Sequence, residues 1–418
     1  MNQKRPLCSG LFWFQDYCLT KGRNLWGIFR NLHLIKRYYM SKFDSIRPFY
    51  DSEVNNALKE VADHPMMKAM MNFTFPDKEE REWTEQLLKT HSIRDFQINF
   101  IYHSVRKVLD LTSDGLTTSG FEKLEPNTAY LFISNHRDII LDTSLLNATL
   151  YEHGLLMTTS AIGDNLVKKP FLKSLARLTR NFVVYRGLSN KAMLEFSKLN
   201  SEYIREAIFS QNRSVWIAQR EGRTKDGLDL TQKGILKMLS KGCENLSLKD
   251  YFLKLKIVPV SISYENDPTD VLKMPELLAK AREETYVKQK NEDFRTLMSG
   301  IMGQKKRIHI SVGKVLDEEI DAIFENESSV NKQLQSLVEE LDRVIVRNYR
   351  LWPTNYIALD LLNQSDEHKH RYSPKEKEEF QQRIQKGVEM DNPMAVKNFL
   401  SMYANPVIHK AKLQQLAP

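Results

Sequence analysis

The chain has 418 residues, 41% of them hydrophobic and 27% charged, with a formal net charge of +8, the balance of a folded soluble protein. Its three cysteines, Cys8, Cys18 and Cys243, are too few and too scattered for a disulfide framework or a zinc site, so a reducing compartment and no metal are expected. Between Met1 and Tyr39 there are seven basic residues against Asp16 alone, so six of the eight net charges sit there, which argues against a nucleic-acid binder that spreads basic charge over its folded body.

Residues 1–39 form a basic aromatic segment. Its apolar patches, Leu11 to Phe14 and Leu25 to Phe29, are cut by Arg23 and Arg30, unlike the apolar stretch of a signal peptide. Two readings stay open: weak order, with the fold proper opening at Met40, or an interfacial anchor for anionic lipid. No stretch approaches the roughly 18 apolar residues of a spanning helix.

Residues 40–115 read as helical. Asp51 or Ser52 can cap SEVNNALKEVADH, and DKEEREWTEQLLKTH and IRDFQINFIYHSVRKVL carry apolar residues at helical spacing. The charge run Asp77 to Glu82 reads as a solvated face. Met66-Met67 and Met70-Met71 suit either membrane attachment or a helix core, the second being the plainer reading.

Over residues 116–315 short apolar runs alternate with amphipathic stretches. Strands are expected at Thr128–Ile133, Leu155–Thr159, Phe182–Tyr185, Ser214–Ala218, Lys256–Ser263 and Arg307–Val312, and helices at Leu141–Glu152, Ser189–Phe209 and Pro275–Lys288. Residues 316–418 are helical, with breaks near Pro353 and Ser373-Pro374. The expected fold is α/β: a mixed, mostly buried sheet flanked by helices, with an N-terminal helical region and a C-terminal helical extension.

Three segments carry the chemistry. In SNHRDIILD, His136 lies just beyond the strand run Tyr130 to Ile133, where α/β folds place their sites. A histidine there can act as general base if a carboxylate fixes its tautomer, and both Asp138 and Asp142 are available. Asp142 can reach back from the following helix, while Asp138 can instead cap that helix. Taken alone, the segment reads as a loop histidine with a capping aspartate. In AQREGRTKDG, Arg220, Glu221, Gly222, Arg223 and Lys225 follow a strand. The glycine permits a tight turn and the guanidinium forks match phosphate oxygens, although a charged surface turn is the plain alternative. Arg186 ends another strand in FVVYRG and suits the same anion site. VPVSISYE is a strand with Pro259 at an odd mid-sheet position, where a bend can shape a pocket wall.

Taken in order, NHRDIILD, VVYR, REGRT and VPVSI resemble the four blocks of the glycerolipid acyltransferases, over about 130 residues of this chain; Lys233-Gly234 resembles the pair that follows the third block. Each block is weakly specific alone, and four in the correct order are strong. The sequence departs twice from the pattern. The family's aspartate position is Leu141 here, with aspartate one residue later at Asp142, and arginine and threonine of the third block are exchanged, leaving Arg223 before Thr224. Asp142 is the preferred partner of His136, with Asp138 the alternative.

The resemblance implies direct acyl transfer, without cofactor, metal or covalent intermediate, from acyl-CoA or an acyl carrier protein to a hydroxyl of glycerol 3-phosphate or lysophosphatidate in phospholipid biosynthesis. It makes His136 the base with Asp142. Arg186 and Arg223, with Arg220 or Lys225, hold the acceptor's phosphate, and Glu221 binds its free hydroxyl or orients the arginines beside Gly222. It implies peripheral attachment to the cytoplasmic face of a membrane. A lyso-aminolipid acceptor, or a non-catalytic membrane-surface protein keeping the fold, are the alternatives. His-Arg-Asp also resembles a kinase catalytic loop, but the asparagine five residues on is Thr143 and neither Asp-Phe-Gly nor Gly-x-Gly occurs. Gly-x-Ser-x-Gly is absent too, which argues against a serine hydrolase.

Overall fold

The structure is a computed structural model that describes residues 42–415. Residues 1–39, read above as a basic aromatic segment, lie outside them. The chain divides into a unit Met1–Ser45 and a unit Ile46–Pro418, and every element named here belongs to the second.

The N-terminal helices are α1 (Asp51–Val61), α2 (Pro65–Thr74), α3 (Glu80–Leu88), α4 (Ile93–Phe96) and α5 (Tyr102–Thr112), the last two joined through a π-helical turn at Gln97–Ile101. Their starts follow local chemistry: Pro65 opens α2, where a missing N–H costs nothing, and Ser92 accepts from Asp95 N at 3.0 Å to cap α4. Met67 and Met71 are fully buried with Trp83, Leu87 and Phe96, so these methionines are core residues.

The sheet has seven strands: β1 (Ser113–Ser119), β2 (Leu131–Ser134), β3 (Thr159–Gly163), β4 (Asn181–Val184), β5 (Val215–Ala218), β6 (Ile257–Tyr264) and β7 (Lys306–Val312). Their order is β1-β7-β6-β2-β5-β3-β4. All neighbours are parallel except β6 and β7. Strands β2 to β6 therefore share one carboxyl edge, and β7 begins at that edge. Helices α6 (Leu141–Glu152), α7 (Pro170–Leu178), α8 (Asn190–Phe209), α9 (Lys233–Leu239), α10 (Leu248–Leu255), α11 (Asp270–Ala281) and α12 (Glu292–Met302) flank the strands. One face buries Phe132, Trp216, Val258, Val260 and Ile262 against α5 and α6. The expected mixed, largely buried sheet flanked by helices is what the chain forms.

Several bounds differ from the sequence reading. The third strand begins at Thr159, where the expected one ended, because TSAIG rather than LLMT enters the sheet. β1 was not expected: SDGLTTS is polar and mostly exposed, an edge strand without alternation. The helix placed at Pro275–Lys288 runs from Asp270 to Ala281 with Pro275 inside it. Pro259 leaves β6 fully buried and paired throughout. Gly313 N donates to its carbonyl at 2.8 Å, and the donor that proline lacks faces Gly313, one residue beyond β7. It lies well before Tyr264, away from the carboxyl edge, so it forms no pocket wall there.

The C-terminal extension is α13 (Asp317–Asn326), α14 (Val330–Asn348), α15 (Pro353–Asn363), α16 (Pro374–Gly387) and α17 (Pro393–Gln415). The expected breaks at Pro353 and Ser373-Pro374 are helix N-termini. Helices α15 to α17 bury Ile357, Phe380, Phe399 and Tyr403 with Met274 and Leu277 of α11.

Candidate active site

The carboxyl edge of the sheet collects the polar segments. His136 follows β2, Asp164 and Asn165 follow β3, Arg186 follows β4, the loop 219–232 follows β5 and the segment from Glu265 follows β6. Parallel strands bring their ends together, so residues far apart in sequence meet here.

His136 and Asp142 form the tightest element. Nδ1 of His136 lies 2.8 Å from Oδ2 of Asp142, which also accepts from Arg137 N at 2.6 Å and Asp138 N at 3.0 Å. Oδ1 accepts from the Tyr264 hydroxyl at 2.9 Å. Asp142 is fully buried with four donors around it, the arrangement of an ionised carboxylate. An acceptor-only partner requires Nδ1 to carry the proton, which leaves the Nε2 lone pair free. The ring stands edge-on to Trp216 with centroids 5.5 Å apart, and the Trp216 indole donates to Ser134 Oγ at 2.9 Å, which fixes the wall behind the histidine.

Asp138, the alternative partner, does something else. Its Oδ1 accepts from Ile140 N at 2.9 Å and Leu141 N at 2.8 Å and so caps the first turn of α6. Its other oxygen is buried without a partner against Gly300 of α12. Burial, and then repulsion from Asp142, push its carboxyl above the usual range. Two residues is too short a reach for its side chain to turn back while it holds that cap.

The loop after β5 is tied directly to the histidine. Thr224 N donates to the His136 carbonyl at 2.8 Å, and Gln219 N to the Ser134 carbonyl at 2.8 Å. Asp229 anchors the junction, accepting from Thr224 Oγ1 at 2.7 Å, Asn135 Nδ2 at 3.1 Å and Arg137 Nη2 at 2.5 Å. Asn135 in turn makes two bonds to the Ile262 backbone, at 2.9 and 2.8 Å, which pins the histidine turn to β6.

The loop's charged side chains divide into two groups. Arg186 Nε lies 3.6 Å from the exposed Glu221 carboxylate, while Arg186 N donates to Asp164 at 3.1 Å. Arg223 turns the other way and donates to Thr269 Oγ1 at 3.2 Å. Lys225 pairs with Glu276. Burial, together with Arg223, Lys288 and Lys273, pulls its ammonium down to about 8, a sign of crowded positive charge. Arg220 has its Nε buried without a partner. Gly222, at φ +72°, makes the turn that lets the two groups diverge.

Asn135, Arg137, Thr224, Asp229 and Tyr264 were not among the expected site residues. Asn135 and Arg137 flank the histidine, and a polar residue at the mouth of a buried strand is a usable signal. Asp229 and Tyr264 reach the site across 94 and 122 positions, and no local pattern marks them.

Comparison with known proteins adds the family. Residues 115–263 match the family model described as Acyltransferase. No curated protein sequence matches the chain. Among solved structures, the crystal structure of the 1-acyl-sn-glycerophosphate (LPA) acyltransferase PlsC from Thermotoga maritima is similar over 71% of this chain and 95% of its own, at 13% identity and a TM-score of 0.36, too distant to carry any residue across. The matched span holds His136, Asp142, Arg186, the loop around Gly222 and most of β6, so the resemblance carried by the four blocks is borne out: residues 115–263 of this chain are an acyltransferase domain.

Proposed function

We propose that the enzyme transfers a fatty acyl group from an acyl thioester to a hydroxyl of glycerol 3-phosphate or lysophosphatidate. Nε2 of His136 takes the hydroxyl proton as the oxygen attacks the thioester carbonyl, and Asp142 holds the ring and offsets the imidazolium charge. The thiolate leaves and the proton passes to it. Arg186 and Arg220 on one side of the turn and Arg223 and Lys225 on the other flank the acceptor's phosphate, and Glu221 holds Arg186 in place. A phosphate handle fixes the hydroxyl near the base, and such positioning is worth several kcal/mol of the barrier.

One observation carries this reading. The Thr224 N–H bond to the His136 carbonyl, 2.8 Å long, sets the cationic loop and the imidazole in one rigid unit. The lipid product makes a bilayer the natural place for the site. No helix among the described residues is long and apolar enough to cross a membrane, so attachment is peripheral in this reading. Phe294, Met298 and Met302 form an exposed apolar stripe at four-residue spacing on α12, suited to an interface.

The test is transfer of radiolabelled acyl groups to a panel of glycerol 3-phosphate, lysophosphatidate and lyso-aminolipids. His136→Ala should abolish transfer, and Arg186→Ala should raise KM for the phosphorylated acceptors. An acceptor KM that ignores Arg186 would sink the phosphate assignment.

A further inference from the structure

A second cavity lies on the same edge of the sheet, wholly outside the span that matches the family model. A cleft of about 640 Å³ opens over the end of β6 and the start of β7, between α11, the C-terminal turn of α12 and α16 of the C-terminal extension. Its volume is in the range of cofactor pockets and far exceeds what a phosphorylated glycerol headgroup fills.

The topology sets this cleft and Arg186 on opposite sides of the base, while Arg223 and Lys225 of the loop reach toward the cleft side. His136 follows β2. On one side β6 and then β7 carry the cleft, and on the other β5, β3 and β4 carry the loop and Arg186. Neighbouring strands are about 4.8 Å apart, so the cleft begins one strand from the imidazole. Two contacts join it to the site. Thr269 in its wall receives the bond from Arg223, and Ser299 in its wall precedes Gly300, which abuts Asp138.

The lining fits a phosphorylated amphiphile. Val271 and Leu272 offer apolar surface, Lys306, Arg383 and Lys386 supply cations, and Asp270 and Glu379 line the cleft beside them, leaving one net positive charge. Lys306 bonds Glu379 and Arg383 bonds Asp270, each at 2.7 Å, while Lys386 has no ion-pair partner among the described residues. A bare acyl chain would strip water from those cations without replacing it, at a cost of several kcal/mol. We infer that this cleft binds the nucleotide end of a coenzyme A thioester, so that α16 of the C-terminal extension is part of the donor site and the thioester reaches His136 from the β6 side. This rests on the acyl-transfer reading above and selects the nucleotide-bearing donor over a carrier protein.

The test is calorimetric titration of free coenzyme A into the full-length wild type, Lys386→Glu, Leu272→Glu and His136→Ala proteins, beside KM for acyl-CoA. Both cleft residues are exposed at the surface, and circular dichroism checks that the variants fold. Binding should weaken about tenfold in the two cleft variants and stay unchanged in His136→Ala, with acyl-CoA KM rising and acceptor KM constant. Equal coenzyme A affinity in wild type and both cleft variants overturns the assignment, even if acyl transfer to phosphorylated acceptors proceeds. No coenzyme A binding by wild type, with transfer from a carrier-protein thioester, overturns it as well. Cleft-dependent coenzyme A binding without transfer to any phosphorylated acceptor supports the cleft and overturns the acceptor reading instead.

Discussion

Tyr264, the last residue of β6, donates its hydroxyl to Asp142 at 2.9 Å, on the oxygen opposite the one that meets His136. Burial, and then the Asp142 charge, hold the phenol well above its usual range, so it stays a proton donor across the working pH. The bond fixes the carboxylate plane, and through it the ring. Tyr264→Phe keeps the packing and removes only this bond. The expected result is a kcat about tenfold lower, close to 1.4 kcal/mol of barrier, with acceptor KM unchanged in steady-state kinetics.

Asp138 and Asp142 should separate by what each loss damages. Asp142→Ala removes the acceptor that sets the histidine tautomer, and acyl transfer should fall on the order of 10³-fold. Asp138→Ala removes the cap on Ile140 N and Leu141 N and should cost about 1 kcal/mol in urea unfolding. It should retain most of its kcat. Equal losses of activity in the two variants would return Asp138 to the catalytic pair.

Lys225 should give the proposed acceptor site a pH dependence. With its ammonium at about 8, the free enzyme loses this charge as pH rises through 8, and affinity for a phosphate should fall with it. Acceptor KM measured from pH 7 to 9.5 should climb in the wild type. Lys225→Arg keeps its charge over this range and should flatten the curve, whereas Lys225→Gln should be weak throughout.

Asp342 of α14 accepts from Thr231 N at 2.7 Å beneath the loop after β5. Burial, and then Asp229 and Glu339, raise its carboxyl to about 6 from 3.8. Between those values the native state holds the proton and the unfolded chain does not, so stability falls as pH rises through that window. Above it the cost is constant. Asp342→Asn keeps an acceptor for Thr231 and removes the charge. It should be more stable at pH 7 by about 2 kcal/mol, a gain that vanishes below about pH 4, as chemical unfolding at both pH values would show.

The sequence exposed the parts of this molecule in which chemistry is local. VWIA is apolar throughout and IVPVSISY is broken only by Ser261 and Ser263, and both lie buried near the centre of the sheet. LDTSLLNATLYE forms its helix between the expected ends. His136 and Asp142 share one turn, six residues apart, so their pairing could be weighed from SNHRDIILD alone. β1 was invisible because SDGLTTS pairs only with β7, some 190 residues away, and leaves most of its side chains in water. Asp229 and Tyr264 are unremarkable residues in sequence and become site residues only through β5 and β6. The cleft could not be read at all, because its walls come from three separate parts of the chain.

The two glycines of the loop after β5 should respond differently to alanine. Both are left-handed, Gly222 at φ +72° and Gly227 at φ +77°, a conformation that costs an L-residue about 1 kcal/mol. A Cβ on Gly222 meets nothing within 4 Å, so Gly222→Ala should lose about that amount. A Cβ on Gly227 would lie 2.1 Å from the Met402 carbonyl of α17 and 3.2 Å from Pro406 Cδ. Pro406 has no N–H to return to Met402 four residues earlier, so this carbonyl is left outside the helical ladder. Asn405 Nδ2 reaches the neighbouring Asp226 carbonyl at 2.6 Å, which holds α17 against the turn. Gly227→Ala must push α17 away or displace the loop, and should cost about 3 kcal/mol or more in urea unfolding. Because Lys225 lies two residues from this contact, the acceptor KM of Gly227→Ala should rise too, while Gly222→Ala shows only its smaller loss of stability. A Gly227→Ala protein no less stable than Gly222→Ala would mean that the C-terminal helix does not seat the loop.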